Sequence, residues 1–259
     1  MSALTRRLIM AATSGSTPST GLFYVGGNTQ AFDSAQNWNF SNGLALPAQD
    51  GDLVVVSMSV GQCASADAIT GLSLIGQTGN KLSRGAYDTY TSSGTTYKWG
   101  WNIWWYIHSS AGDNPYINAP AGIDIDNVSV VGSVFRNSNG WGSYSESDSE
   151  KLYSGDEATN SPNPPNERKS DSNKVSLTVG LISASGVNDE SPILAASNPT
   201  GYSSSGFVTA GTNKTISFSA TTVGYVAPSN DKKDPDVIVF SVAEEDVLGS
   251  AAVTIEFFP

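Results

Sequence analysis

Val175-Ser176-Leu177-Thr178-Val179-Gly180-Leu181 alternates apolar and small or polar residues without a break. A period of two places the four apolar side chains on one face of an extended strand and the other three on the opposite face. The pattern recurs further along the chain. Ile216, Phe218, Ala220 and Thr222 alternate with Ser217, Ser219 and Thr221, and Ala251, Val253, Ile255 and Phe257 share one side of the last candidate strand. Each such strand is expected to turn one face to a core and the other to solvent or a partner.

The remaining segments read as strands too. Asp52 to Val60 follows the turn cluster Pro47-Ala48-Gln49-Asp50-Gly51 and is apolar on both faces at its start, which predicts a central strand. Val237 to Val242 is a second central candidate, expected to form a hairpin with the last strand around Asp246-Val247-Leu248-Gly249. Leu22 to Val25 and Ile69 to Ile75 are short candidates. Asp88 to Thr91 and Thr95 to Ile107 form a predicted hairpin around Ser92-Ser93-Gly94, and Asn127 to Phe135 carries Val128, Val130 and Val134 on one side. No segment sustains a 3.6-residue period. About ten strands with closely spaced turns predict an all-β fold, an antiparallel β-sandwich of jelly-roll-like type with a flexible N-terminal arm. The expected organisation is an anchor peptide and linker over residues 1–20 and a sandwich over 21–259, interrupted by a polar insertion at about 137–173.

Composition narrows the chemistry. The chain has 259 residues, a net charge of -11 and only 14% charged residues, against roughly 25% in ordinary globular chains. Its 39 serines, 20 threonines and 19 asparagines approach a third of the sequence and disfavour long helices. Thirteen basic against 24 acidic residues leave no cationic face for nucleic acid. No apolar run reaches the ~18 residues of a membrane span, so no membrane insertion is expected. With one cysteine (Cys63) and one histidine (His108), an internal disulfide, a thiolate metal cage and a two-imidazole site are excluded. Phosphate loops and a Gly-x-Ser-x-Gly elbow are absent. The chain is therefore expected not to be an enzyme and to need no cofactor or metal. Asp124-Ile125-Asp126-Asn127 and Asp231 to Asp236 could offer oxygens to Ca²⁺, but both lack the spacing of a calcium loop and read as turns.

The start of the chain, Thr5-Arg6-Arg7-Leu8-Ile9-Met10-Ala11-Ala12, precedes a Ser/Thr/Gly/Pro linker. Its apolar run, Leu8 to Ala12, is shorter than the roughly 7–15 residues of a signal-peptide core. Arg6, Arg7, Leu8, Ile9 and Met10 instead suit a tethered anchor, in which apolar side chains bury in a partner's groove and guanidinium groups grip carboxylates. This opening resembles that of tail-fibre and appendage proteins of marine bacteriophages, although the family's linker is usually glycine-rich. A second resemblance covers about residues 45–258. Gly51-Asp52-Leu53 before a valine-rich strand, an aromatic strand ending Trp104-Trp105-Tyr106, and Val134-Phe135-Arg136 are similar in order to phage virion β-sandwich proteins. It carries no functional residues.

Two features remain. The insertion from Ser143 to Ser172 is acidic and proline-bearing, and reads as a solvated loop or as one meeting a neighbour through Trp141, Tyr144 and Tyr153. On the strand Thr95 to Ile107, the odd face (Trp99, Trp101, Ile103, Trp105 and Ile107) reads as core. The even face sets Trp104 and Tyr106 beside Asn102 and His108, which suits a sugar if open, or packing under a loop or subunit if closed. The resemblances imply a non-enzymatic virion structural protein on the outside of a phage particle. Its partners are other virion proteins, gripped through the N-terminal peptide, and further copies of itself. A tail fibre or appendage component comes first and a capsid decoration protein or head fibre second. The rival from the residues is a carbohydrate-binding module for host surface glycans.

Overall fold

The computed structural model describes residues 22–35, 45–92, 94–111, 116–118, 125–142, 144–146, 151–154, 159–162, 175–185, 193–199, 202–211, 217–226, 238–242 and 247–258. The proposed anchor residues Arg6, Arg7, Leu8, Ile9 and Met10 lie outside them, as do Asp124 and Asp231 to Asp236.

The fold is an all-β antiparallel sandwich. One sheet has five strands in the order β1 (Leu22–Ala35), β7 (Ile125–Asn137), β2 (Leu53–Cys63), β5 (Thr95–Ile107) and β4 (Asn80–Ser92). The other runs β12 (Ser203–Ala210), β13 (Ser217–Val226), β10 (Val175–Ser185) and β15 (Val247–Phe257). The free edge of β15 is shared by two short strands, β8 (Tyr144–Glu146) and β9 (Lys151–Ser154). Two described pieces of the insertion therefore extend a sheet. The insertion continues to residues 159–162, where Asn160 O and Pro162 O accept from the N–H groups of Phe240 and Ile238.

The central placement of β2 and the β4–β5 hairpin, closed with Ser92 opposite Thr95, follow the sequence pattern. Between the sheets, Leu53, Val55, Trp99, Trp101, Ile103, Trp105, Val131 and Phe135 meet Val175, Leu177, Val179, Leu181, Ala251, Val253, Ile255 and Phe257. These are the apolar faces that alternation marked on β10 and β15.

The opposite faces depart from expectation, because both outer surfaces of the sandwich are covered. On the five-stranded sheet, a helix α1 (Ala66–Gly71) and the strand pair β3 (Ser73–Ile75) and β6 (Tyr116–Asn118) close a second core. It contains Val54, Val56, Met58, Val60, Cys63, Trp104, Tyr106, Val128, Val130 and Val134. On the other sheet, the pair β11 (Ile193–Ser197) and β14 (Val239–Val242) closes a third core with Ile182, Ala184, Phe218, Ala220 and Ala252.

Three readings are corrected by these covers. The start of the candidate strand Ile69 to Ile75 is helical. Ser65 caps α1, its Oγ accepting from Ala68 N at 3.3 Å, and Ala68, Ile69 and Leu72 fall on the buried side. The segment Val237 to Val242 is not central. Among the described strands, β14 pairs with β11 in a separate two-stranded sheet and exposes Val239, because it covers the six-stranded sheet instead of joining it. Nor does it form a hairpin with β15, which pairs instead with β10, β8 and β9.

The third core explains why small residues sit on the outward face of β10. A Cβ at Gly180 would lie 2.8 Å from Ile238 Cγ2, so the cover packs directly onto the glycine. Thr178 and Thr254 are buried nearby and share a hydrogen bond of 3.2 Å.

Candidate functional site

The two tripeptides singled out in sequence, Gly51-Asp52-Leu53 and Val134-Phe135-Arg136, meet in space. Arg136 Nε and Nη2 donate to Asp52 Oδ1 and Oδ2, both at 2.7 Å, and Asp52 Oδ2 also accepts from Gln49 N at 2.8 Å. This fork grips a carboxylate that is buried while its guanidinium partner is 30% exposed. The contact with Asp52, first through its hydrogen bonds, raises the Arg136 pKa. The Phe23 ring lies 5.9 Å from the guanidinium carbon. Two distant strand ends are thus locked together at one end of the sandwich.

The same end receives β5. Its odd face is core at Trp99, Trp101, Ile103 and Trp105, whereas Ile107, expected to share that core, is exposed because it ends the strand. Its even face is closed: Asn102, Trp104 and Tyr106 are all buried. Asn102 Nδ2 donates to Ile69 O of α1 at 3.0 Å. Lys81 Nζ stands 5.7 Å from the Trp104 ring and donates to Leu72 O at 2.6 Å and to Thr70 O, pinning the end of α1 over the indole. Desolvation lowers the Lys81 pKa and raises that of Tyr106. His108 is half-buried, with its ring 6.5 Å from that of Tyr106, and its backbone exchanges hydrogen bonds with Gly51 and Asp52. The expected sugar platform of Asn102, Trp104, Tyr106 and His108 is therefore not on display. A sugar would reach Trp104 only by displacing α1, whose apolar side needs that face for its own burial.

A small cleft lies where β5 ends, above core residues that are themselves buried. It has a volume of about 170 Å³ and is lined by Leu53, Asn80, Trp105, Tyr106, Ile107, Trp141, Gly142 and Phe257. Trp105 meets Phe257 edge-on, with ring centroids 6.2 Å apart and an interplanar angle of 71°. Ile107 lies at the mouth and is 45% exposed. Gly79 lets the chain before β4 pass tightly over this end of β5, since a Cβ there would meet Trp105 O at 2.3 Å.

Trp141 stands opposite, on a turn fixed from both sides. Asn137 Oδ1 accepts from Asn139 N at 3.0 Å, and Asn137 O accepts from Gly140 N at 3.0 Å. Gly140 adopts φ 78°, the left-handed geometry that glycine takes without strain. Beyond the tryptophan, Gly142 N donates to Phe258 O at 3.1 Å, tying the turn to the end of β15. The Trp141 Nε1–H is buried and has no hydrogen-bond partner among the described residues.

Sequence reasoning separated these residues: Trp105 and Phe257 as core, Trp141 as a loop anchor. Their convergence depends on the Asn137–Gly142 turn, whose Asn137-Ser138-Asn139-Gly140 was the available signal. Among the described residues no cluster of three or more His, Cys, Asp or Glu side chains could hold a metal ion, and no helix is long and apolar enough to cross a membrane. Cys63 is buried, and its Sγ donates to Ser65 O at 3.1 Å as part of the α1 cap.

No protein-family model matches the chain, and comparisons with curated proteins and with solved structures gave no match.

Proposed function

We propose that this chain is a non-enzymatic structural protein of a bacteriophage virion, a tail-fibre or appendage component held through its N-terminal peptide. The observation that supports this reading best is the doubly covered sandwich. Its central strands are buried on both faces, and the body is closed by its own covers. A body of that kind suits display on a particle, tethered by a separate arm. The basic-apolar opening supplies such an arm, with Arg6 and Arg7 for carboxylates and Leu8, Ile9 and Met10 for a groove. The same body on the head, as a decoration protein or head fibre, would use the same arm. Further copies of the chain are expected beside it, since virion parts repeat by symmetry.

Deleting residues 1–12 tests the assignment. The truncated protein is expected to keep the circular dichroism spectrum and thermal midpoint of the full chain, and to be missing from purified particles. A truncated chain that still assembles onto particles removes the anchor. The position of the chain in a density map of the intact particle separates tail from head.

A further inference from the structure

We propose that the open edge of β1 pairs with β1 of a second copy of this chain, antiparallel, across a two-fold axis near Thr29. Covers close the faces of the sandwich, but a sheet also ends in edges, and an edge strand offers unspent N–H and C=O groups to any extended chain. Most edges here are guarded. β4 carries Lys81, Arg84 and Asp88 and slips register between Gly85 and Tyr87 and again between Asp88 and Tyr90. β12 has 8 residues and a bulge at Ser204–Gly206, and β8 and β9 have 3 and 4 residues. Charges, bulges and shortness are the ordinary defences of an edge.

β1 lacks them. It has 14 residues, Asp33 is its one charged residue, and its register runs unbroken from Gly26 opposite Val134 to Ala35 opposite Ile125. Among the described strands it pairs only with β7. The phase of the ladder shows which groups face outward. His108 N–H donates to Asp52 O at 2.8 Å, so Asp52 turns to β5 and Leu53, one residue on, turns to β7. Counting alternately through β7, Asn28 and Gln30 bond to that strand, and Gly27, Thr29 and Ala31 hold their N–H and C=O to the open side. Thr29 agrees with this count: its N–H donates to its neighbour's Asn28 Oδ1 at 2.8 Å, a stand-in for a strand partner. Gly27, Thr29 and Ala31 are all exposed.

The occupant follows from the same features. β1 gives a partner almost no charge to read, so the backbone carries recognition, and the strand that matches its length and its lack of charge is β1 itself. With the axis at Thr29, Thr29 meets Thr29, Gly27 meets Ala31, and Asp33 does not meet its own copy. Two five-stranded sheets then join into one of about ten strands, within the range of open sheets. The contact is isologous and closes at two copies. It gives a surface to the further copies expected of a virion part, and rests on that reading for its biological setting alone.

The full-length purified chain is tested by sedimentation equilibrium at concentrations up to about 1 mM, the weak end of specific association. A dimer is expected. Thr29→Pro removes an N–H not spent on β7, in both copies at once, and should weaken the dimer about tenfold or more. Ala31→Lys places a guard charge on an exposed position and should weaken it by about as much. Thermal midpoints are measured alongside, and Ala31→Lys carries the test if Thr29→Pro does not fold. Directly opposed residues of a bonded pair lie about 5.5 Å apart at Cα, within reach of a disulfide. Thr29→Cys should therefore give a covalent dimer with oxidised glutathione, and Thr91→Cys on the guarded edge of β4 should not. A chain that stays monomeric overturns the proposal, as does a dimer that Ala31→Lys leaves unchanged, a dimer that Thr91→Cys and not Thr29→Cys traps, or a β1 edge that pairs only with a different virion protein. No particle enters these measurements, so their failure leaves the virion assignment standing, and loss of that assignment leaves the dimer to be measured.

Discussion

The space between the two sheets is filled in opposite ways in its two halves. Where β5 faces β15, three tryptophans share one face with Ile103: Trp99, Trp101 and Trp105 pack against Ala251, Val253, Ile255 and Phe257. Where β2 and β7 face β13 and β12, the filling is hydroxyl groups. Ser219 Oγ donates to Asn127 O at 2.5 Å, Thr221 Oγ1 donates to Ser129 O at 3.0 Å, and Ser133 Oγ pairs with Ser205 Oγ at 2.8 Å. The two regions join at Ser59, whose Oγ accepts from Trp99 Nε1 at 3.0 Å. Large side chains hold the sheets apart in one half. In the other, backbones approach closely enough for a serine to bridge from one sheet to the main chain of the next. Gly61 marks that approach, since a Cβ there would lie 3.3 Å from the Phe218 carbonyl carbon. The lesson is that a sandwich core need not be apolar throughout, provided its buried hydroxyls find partners.

The contrast can be broken from either side. In the tryptophan half, volume is what matters. Trp101→Ala should cost about 3–5 kcal/mol in urea unfolding, because the sheets cannot collapse onto the space left behind. A loss below ~1 kcal/mol would show that these indoles are loosely packed.

In the hydroxyl half, hydrogen bonding and tightness matter instead. Ser219→Ala removes a buried hydrogen bond to Asn127 O and should cost about 1 kcal/mol. Ser219→Val should cost more than the alanine, because it adds volume where none is free. A valine variant more stable than the alanine variant would mean that this half is an ordinary apolar core.

The smallest effect concerns the rim of the hydroxyl half, where Tyr24 stacks on Tyr225 at 4.7 Å and donates to Ser205 O at 3.2 Å. Burial, aided by Tyr225, pushes the Tyr24 hydroxyl up to about 12, and burial raises Tyr225 as well. In the unfolded chain both ionise near ~10. Their contribution is therefore complete below about pH 10 and lost as pH rises through about 12. Tyr24→Phe should flatten the fall of thermal midpoint over that window. An unchanged alkaline limb would assign the fall to other groups.

The hydroxyl half is also where sequence reading went astray. Ser217, Ser219 and Thr221 form the polar face of an alternating strand, and a polar face is expected to point at water. On β13, Ser219 and Thr221 point into the sandwich, while Phe218 and Ala220 point outward under the β11–β14 cover. Alternation identifies two faces but not which one is inside when both are buried. The correct assignments on β10 and β15 come from Leu and Val faces opposed across the wide half, where apolar character and interior coincide.

The cleft was half legible. Trp105 and Phe257 were visible as core and Trp141 as an aromatic in a polar stretch, yet nothing local joins residues so far apart along the chain. The Asp52–Arg136 fork shows the same limit, with two recognisable tripeptides whose partnership only the register of β2 beside β7 reveals.

The sequence by itself determined that this chain would be built of strands, because period-two alternation and a third of Ser, Thr and Asn leave no long amphipathic helix to form. It also located β2, β5, β7, β10, β13 and β15, and showed which of β5's two aromatic faces lies between the sheets. Only the tertiary structure decided that the outer faces would be covered, that serines would line half the interior and that a small cleft would form beside Trp141. Those outcomes depend on which sheet lies against which cover, and on how near two backbones come, quantities that a residue's own neighbours in the chain do not encode.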